Sequence, residues 1–85
     1  MNQAIQFPDR EEWKVDINAV VFPAMVHGMQ LMCAIKGEAL ARRFGGITSE
    51  QWLENFRQHR WDLEEEAEAL IQAQQEDDQG WVWLL

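Results

Sequence analysis

Two apolar runs, Val20-Val21-Phe22-Pro23-Ala24-Met25-Val26 and Met29-Gln30-Leu31-Met32-Cys33-Ala34-Ile35, flank His27-Gly28. A two-residue connection with glycine in second place, where positive φ carries no steric cost, predicts a tight antiparallel hairpin. Pairing Val26 with Met29 sets Ala24 opposite Leu31, Phe22 opposite Cys33 and Val20 opposite Ile35, and these eight side chains then share the core face by the two-residue period. The other face carries Met25 with Gln30, Pro23 with Met32, Val21 with Ala34 and Ala19 with Lys36, a mixed surface expected to tolerate water. In this register the missing N–H of Pro23 points away from the partner strand, so that side of the first strand is expected to be an edge or a bulge.

Beyond Gly37 the period changes from two to three-and-four. Glu38 to Phe44 reads as a short helix with Leu40 and Phe44 inward, stopped at Gly45-Gly46. Thr48 or Ser49 can cap a second helix in which Trp52, Leu53 and Phe56 form the apolar stripe and Glu50 complements the N-terminal dipole. Leu63, Ala67, Leu70, Ile71 and Gln74 continue the spacing, but Trp61 lies on the far side at 100° per residue. Either a tryptophan sits outside, or the helix breaks near His59-Arg60 and restarts with Asp62 as N-cap and Glu65 as capping-box partner; the break is the preferred reading. After Asp77-Asp78-Gln79-Gly80, the apolar Trp81-Val82-Trp83-Leu84-Leu85 reads as a strand covered on both sides or completing an intermolecular surface.

These elements predict an α+β class: a small, mostly antiparallel sheet of the hairpin plus an N-terminal strand near Ile5 to Phe7 and a C-terminal strand, packed on one face by two or three helices. Strand order does not follow from the pattern. Residues 1–85 contain no repeat or linker and form one domain, as their number also suggests.

Composition narrows the chemistry. Hydrophobic residues at 47% and charged residues at 26% suit a folded domain. No apolar run approaches the ~20 residues of a bilayer span, and no basic stretch followed by an apolar run opens the sequence, so neither membrane insertion nor secretion is expected. The single Cys33 cannot close an internal disulfide, which fits a reducing compartment, and the cytoplasm is the expected location. The net charge of −8 is unevenly distributed: residues 1–60 carry seven acids and all seven bases, while Asp62, Glu64, Glu65, Glu66, Glu68, Glu76, Asp77 and Asp78 face no Lys or Arg beyond position 60. A field of that sign repels phosphate backbones, which disfavours nucleic acid and makes a basic protein the natural partner.

Catalytic chemistry is poorly supported. His27, Cys33 and His59 are isolated in sequence, the only serine, Ser49, has a capping use, and Gly45-Gly46 lacks the pattern of a phosphate loop, so no catalytic residue, metal site or cofactor is expected. The plainest reading of Glu64-Glu65-Glu66 and Glu68 is a solvated face in a first helical turn, and that of the five tryptophans is large area buried in a small core. The sharper reading is a non-enzymatic interaction module, monomeric or weakly dimeric, that binds a partner through Glu64, Glu65, Glu68, Trp61, Trp81 and Trp83. A small-ligand or RNA-associated accessory domain using Arg42, Arg43, Arg57 and Arg60 is the alternative.

Three stretches carry a resemblance: Phe7-Pro8-Asp9-Arg10-Glu11-Glu12-Trp13, residues 58–68 from Gln58-His59-Arg60-Trp61 to Glu68, and Glu76-Asp77-Asp78-Gln79-Gly80-Trp81-Val82-Trp83-Leu84. Over essentially its whole length the chain resembles the YrdB-like family of small bacterial proteins of unknown function. That resemblance implies a compact α+β domain in a bacterial cytoplasm and supplies no catalytic motif, ligand or partner.

Overall fold

The hairpin is the centre of the fold. In a computed structural model that describes residues 5–85, β3 (Ala19–Val26) and β4 (Met29–Lys36) pair in the expected register, from Val26 with Met29 through to Ala19 with Lys36. His27 and Gly28 both take positive φ, 53° and 83°, which is the twist a two-residue hairpin turn requires. Two short strands flank β3 on its other side: β1 (Ile5–Gln6) pairs with Val26 and Met25, and β2 (Glu12–Lys14) with Val21 to Ala19. Pro23 falls in the gap between them, so its missing N–H interrupts no ladder and the expected edge is local to that residue. The three-residue β2 was not anticipated: with one apolar side chain between two charges, it has no pattern of its own.

Three helices follow β4: α1 (Gly37–Phe44), α2 (Ser49–Gln58) and α3 (Arg60–Gln72). Thr48 is the cap of α2, with a full capping box in which its hydroxyl accepts from the Gln51 backbone N–H and the Gln51 side chain accepts from the Thr48 N–H. The break before α3 is present at His59 (φ −111°, ψ 23°), but α3 already starts at Arg60. Asp62 therefore sits in the first turn and is not the cap. The N–H groups of His59 and Leu63 donate to the carbonyls of Asn55 and His59, so the hydrogen-bond ladder runs almost unbroken through the joint and leaves few donors for a cap to satisfy. Trp61 stays outside, so the less favoured reading holds for the tryptophan, while the break falls at His59 without a restart at Asp62. At its far end α3 closes in a Schellman turn: Gln74 has φ 59°, its N–H reaches the Ile71 carbonyl, and the Gln75 N–H reaches that of Leu70. Gln74 is thus past the helix and exposed.

The chain returns to the sheet as β5 (Trp81–Leu84), which lies parallel to β4 at the edge of the order β1-β3-β4-β5, with β2 also on β3. The architecture is α+β, with one parallel pair in an otherwise antiparallel sheet. Its core joins Val20, Phe22, Ala24, Cys33 and Ile35 of the hairpin to Leu40, Phe56, Leu63, Ala67 and Ile71 of the helices and Val82 and Leu84 of β5. Each fully buried large side chain among them stabilises by ~1.5–3 kcal/mol, and the Phe22 and Phe56 rings meet at 4.7 Å. Met29, assigned to this face, lies at the hairpin tip beyond the helices and is exposed. The sheet's other face corrects the expectation of a wet surface. Ala19, Val21 and Ala34 form a second buried cluster there, closed by Ile17, Met32, Trp81 and Trp83.

Candidate functional site

Helix α3 has one stripe in the core, Leu63, Ala67 and Ile71, and another turned away from it. Trp61, Glu64, Glu65 and Glu68 stand at i, i+3, i+4 and i+7, so they share the second stripe. With Phe7 and Asp62 they line an open groove of about 260 Å³. Trp61 is 84% exposed, an unusual position for the largest apolar side chain. The acids around it differ in state. Glu64 is largely covered and lies 3.5 Å from the Arg60 guanidinium; burial pushes its carboxyl above the ordinary value, with Arg60 pulling the other way. Among the described residues neither Glu65 nor Glu68 has an ion-pair partner.

The four arginines considered in the alternative reading are tied to different elements. Arg60 pairs with Glu11, with Asp9 at 3.4 Å and with Glu64, and its guanidinium lies 5.3 Å over the Phe56 ring. Arg57 donates to the same Glu11 at 2.7 Å and reaches Glu54. The Glu11 side chain is only 10% exposed; burial alone would raise its carboxyl, but the hydrogen bonds from Arg57 and Arg60 outweigh it and hold the value at about 2. This network fastens the segment between β1 and β2 onto α2 and α3. Arg43 forms a bidentate pair with Glu66, donates to the Leu85 carbonyl at 3.0 Å and lies 5.3 Å over Phe44. Arg42 is exposed with no ion pair among the described residues.

Trp81 and Trp83 are away from the groove. Both are half-buried on the sheet face without helices, their rings stacked at 6.0 Å, and they cover Val21 and Ala34 while Lys36 Nζ lies 5.5 Å over Trp83. Trp83 also borders an apolar groove of about 350 Å³ with Glu66, Ala69, Leu70 and Leu85. Cys33 is buried and its thiol is pushed up to about 12 by burial. His59 stacks on Phe44 at 3.9 Å, and among the described residues no three His, Cys, Asp or Glu side chains are placed to hold a metal ion. No helix among them is long and apolar enough to cross a membrane.

Phe7, Glu11 and Asp77 are the structurally important residues that sequence reasoning passed over. For Asp77 there was a signal, since an aspartate ahead of a Gly-containing turn into a strand is a common side-chain acceptor for backbone N–H groups. For Phe7 and Glu11 there was none, because their partners are distant in sequence: Phe22 on β3 and the groove residues of α3 for Phe7, Arg57 and Arg60 for Glu11.

Comparison with known proteins gives relatives along the whole chain. The chain is 75% identical over 84 residues to the Escherichia coli (strain K12) protein "Uncharacterized protein YrdB", and 74% identical to the Shigella flexneri protein of the same name, covering 99% of this chain and of each relative. Its fold is similar to that of a crystal structure of a protein of unknown function from the DUF1488 family of Shewanella loihica PV-4, with a TM-score of 0.91 at 37% identity over 99% of this chain and 94% of that one. The profile of the family described as "Protein of unknown function (DUF1488)" matches residues 5–84, and the chain belongs to this family of bacterial α+β proteins.

Proposed function

We propose that this chain is a non-enzymatic interaction module of the bacterial cytoplasm that presents the acidic, tryptophan-bearing face of α3 to a basic protein partner. The observation that carries the reading is Trp61. A fully exposed indole contributes little to folding, yet here it shares a helical stripe and a groove with Glu65 and Glu68, whose charges are not neutralised within the described residues. Exposed aromatic rings with charged neighbours are typical anchors of protein interfaces, and the one-signed field beyond residue 60 would speed encounter with a basic surface. Trp81 and Trp83 support the reading less directly, since one side of each ring covers the sheet. The alternative of a ligand or RNA site on the arginines has weaker support, because Arg43, Arg57 and Arg60 are already paired and only Arg42 is free among the described residues.

The test is capture of partners from a bacterial lysate by the wild-type protein and by a Trp61→Ala, Glu65→Gln, Glu68→Gln variant, followed by association kinetics of any captured partner. Slower association and a flatter salt dependence in the variant are expected, because screened attraction acts over ~8 Å at physiological ionic strength. Equal capture and equal on-rates would remove α3 from the interface.

A further inference from the structure

Two arginines of this chain sit in the same kind of place. Arg60 has its guanidinium 5.3 Å over the Phe56 ring and its N–H groups on Glu11, and Arg43 has its guanidinium 5.3 Å over Phe44 and its N–H groups on Glu66. In both, the flat cation lies over an aromatic ring while carboxylates receive its edge. The groove on α3 repeats the first two ingredients, the Trp61 indole with the carboxylates of Glu65 and Glu68 one and two turns further on, and among the described residues no Arg or Lys of this chain lies over Trp61. Building on the interaction-module reading, we infer that the groove receives an arginine side chain from an extended segment of the partner protein, stacked on Trp61 and bonded through its N–H fork to Glu65 and Glu68.

Two considerations choose arginine over lysine. A guanidinium is planar and weakly hydrated, so it can stack on an indole without losing the water that a compact ammonium holds tightly. Its five N–H groups in a fixed fork can bond two carboxylates at once, and a helix places Glu65 and Glu68 as neighbours at i and i+3. Glu64, covered and engaged by Arg60, is already compensated and forms the wall of the groove. Phe7 also lines the groove and offers apolar surface to the methylene stem of the arginine.

The experiment uses the full chain and two capped heptapeptides in a glycine and serine background, one with two arginines and one with two lysines. Binding is followed at low salt by the shift of the Trp61 indole N–H resonance, assigned by its loss in Trp61→Leu. The arginine peptide should bind more tightly by about 2- to 5-fold, the range expected for a cation on an exposed ring. Followed through other shifted resonances, Trp61→Leu should lower that ratio, leaving only what the guanidinium fork contributes, while Glu65→Gln with Glu68→Gln should weaken both peptides. Since Trp61, Glu65 and Glu68 contribute nothing to the core, the variants fold. Equal affinities that both fall in the glutamine variant would overturn the arginine inference and leave the interaction reading standing. An arginine preference undiminished in Trp61→Leu would also overturn it. If neither peptide moves the Trp61 resonance, both the inference and the assignment of α3 as the interface fail.

Discussion

The indole N–H of Trp83 donates to Oδ2 of Asp77 at 2.9 Å, while Oδ1 of that carboxylate accepts the backbone N–H groups of Gln79 and Trp81 at 2.8 and 2.9 Å. The backbone N–H of Asp77 in turn donates to the Trp81 carbonyl at 2.8 Å. Trp81 therefore has both of its outward backbone groups occupied, and half of the free edge of β5 is closed by the turn that leads into it. An open edge invites pairing with other chains, and one aspartate here blocks it while also setting the ring that covers Ala34.

Asp77→Ala should release this strand. Faster exchange of the Trp81 backbone N–H and the Trp83 indole N–H than in the wild type, with β3 and β4 unchanged, is the expected outcome by NMR. The hydrogen bonds from Trp81, Trp83 and Gln79 hold the Asp77 carboxyl below its ordinary value of 3.8, so its contribution is complete above that value and disappears as pH falls through the lowered one. Wild-type β5 should loosen in that acid range before the hairpin does. Equal exchange in wild type and variant would show that the strand holds without its turn.

The local devices of this fold were legible, and the long-range ones were not. A two-residue turn with glycine fixes its register by itself, so the pairing of Phe22 with Cys33 follows from His27-Gly28. Thr48 and Gln51 cap a helix wherever it packs. By contrast, Glu12-Trp13-Lys14 becomes a strand only because Trp13 packs against Trp52 at 5.6 Å. The parallel direction of β5 depends on the path of three intervening helices. The dry second face of the sheet needed knowledge of that direction, since it brings Trp83 beside Ala34 and Trp81 beside Met32. The acidic stripe with Trp61 was legible in composition, whereas its groove was not, because Phe7 arrives from the other end of the chain.

Glu11 makes the acid limb of stability predictable. Its carboxyl, held at about 2 against an ordinary 4.5, stabilises the fold fully above pH 4.5 and progressively less as pH falls toward 2. Glu11→Gln leaves Arg57 and Arg60 without their shared partner and should cost about 1–3 kcal/mol at neutral pH. Denaturant unfolding across pH should show the variant less stable at pH 7 but with a shallower decline in acid. Parallel curves would mean that Glu11 is not the group that titrates.

Gly37 is required by two rings. A Cβ there would stand 2.6 Å from Trp52 Cε3 and 2.8 Å from Trp13 Cη2, and neither ring can retreat without disturbing the other. Gly37→Ala should destabilise by about 1–3 kcal/mol, the range for overpacking. Gly45→Ala meets no atom within 4 Å, but φ 90° with ψ −170° is a conformation essentially confined to glycine, so it should cost a similar amount from backbone strain alone. A Gly37→Ala variant that melts with the wild type would dissolve the Trp13, Gly37 and Trp52 contact.

Cys33 reports global opening. It is fully buried between Phe22 and Val82, and its thiol is pushed up to about 12, so at neutral pH almost no thiolate is present and no reagent can reach it. Labelling by a thiol reagent should be slow in the native protein and should accelerate with denaturant in step with unfolding. Rapid labelling without denaturant would mean that α3 and β5 separate from the hairpin on their own.

Trp61 and Trp83 should separate binding from folding. Trp61 rests on nothing in the core, so Trp61→Ala should leave stability within about 0.5 kcal/mol of wild type. Trp83 covers Val21 and Ala34, stacks on Trp81 and is bonded to Asp77, so Trp83→Ala should cost roughly 2 kcal/mol, less than the ~3–5 of a fully buried ring. In a chain of 85 residues that loss corresponds to a fall of roughly 8–16 °C in Tm. Two melting curves therefore precede any binding assay. If Trp61→Ala melts with the wild type, a loss of partner binding in that variant is a loss of the contact itself. If Trp83→Ala also melts with the wild type, the ring is not holding the second face closed, and Trp81 and Trp83 become part of the recognition surface on equal terms with Trp61.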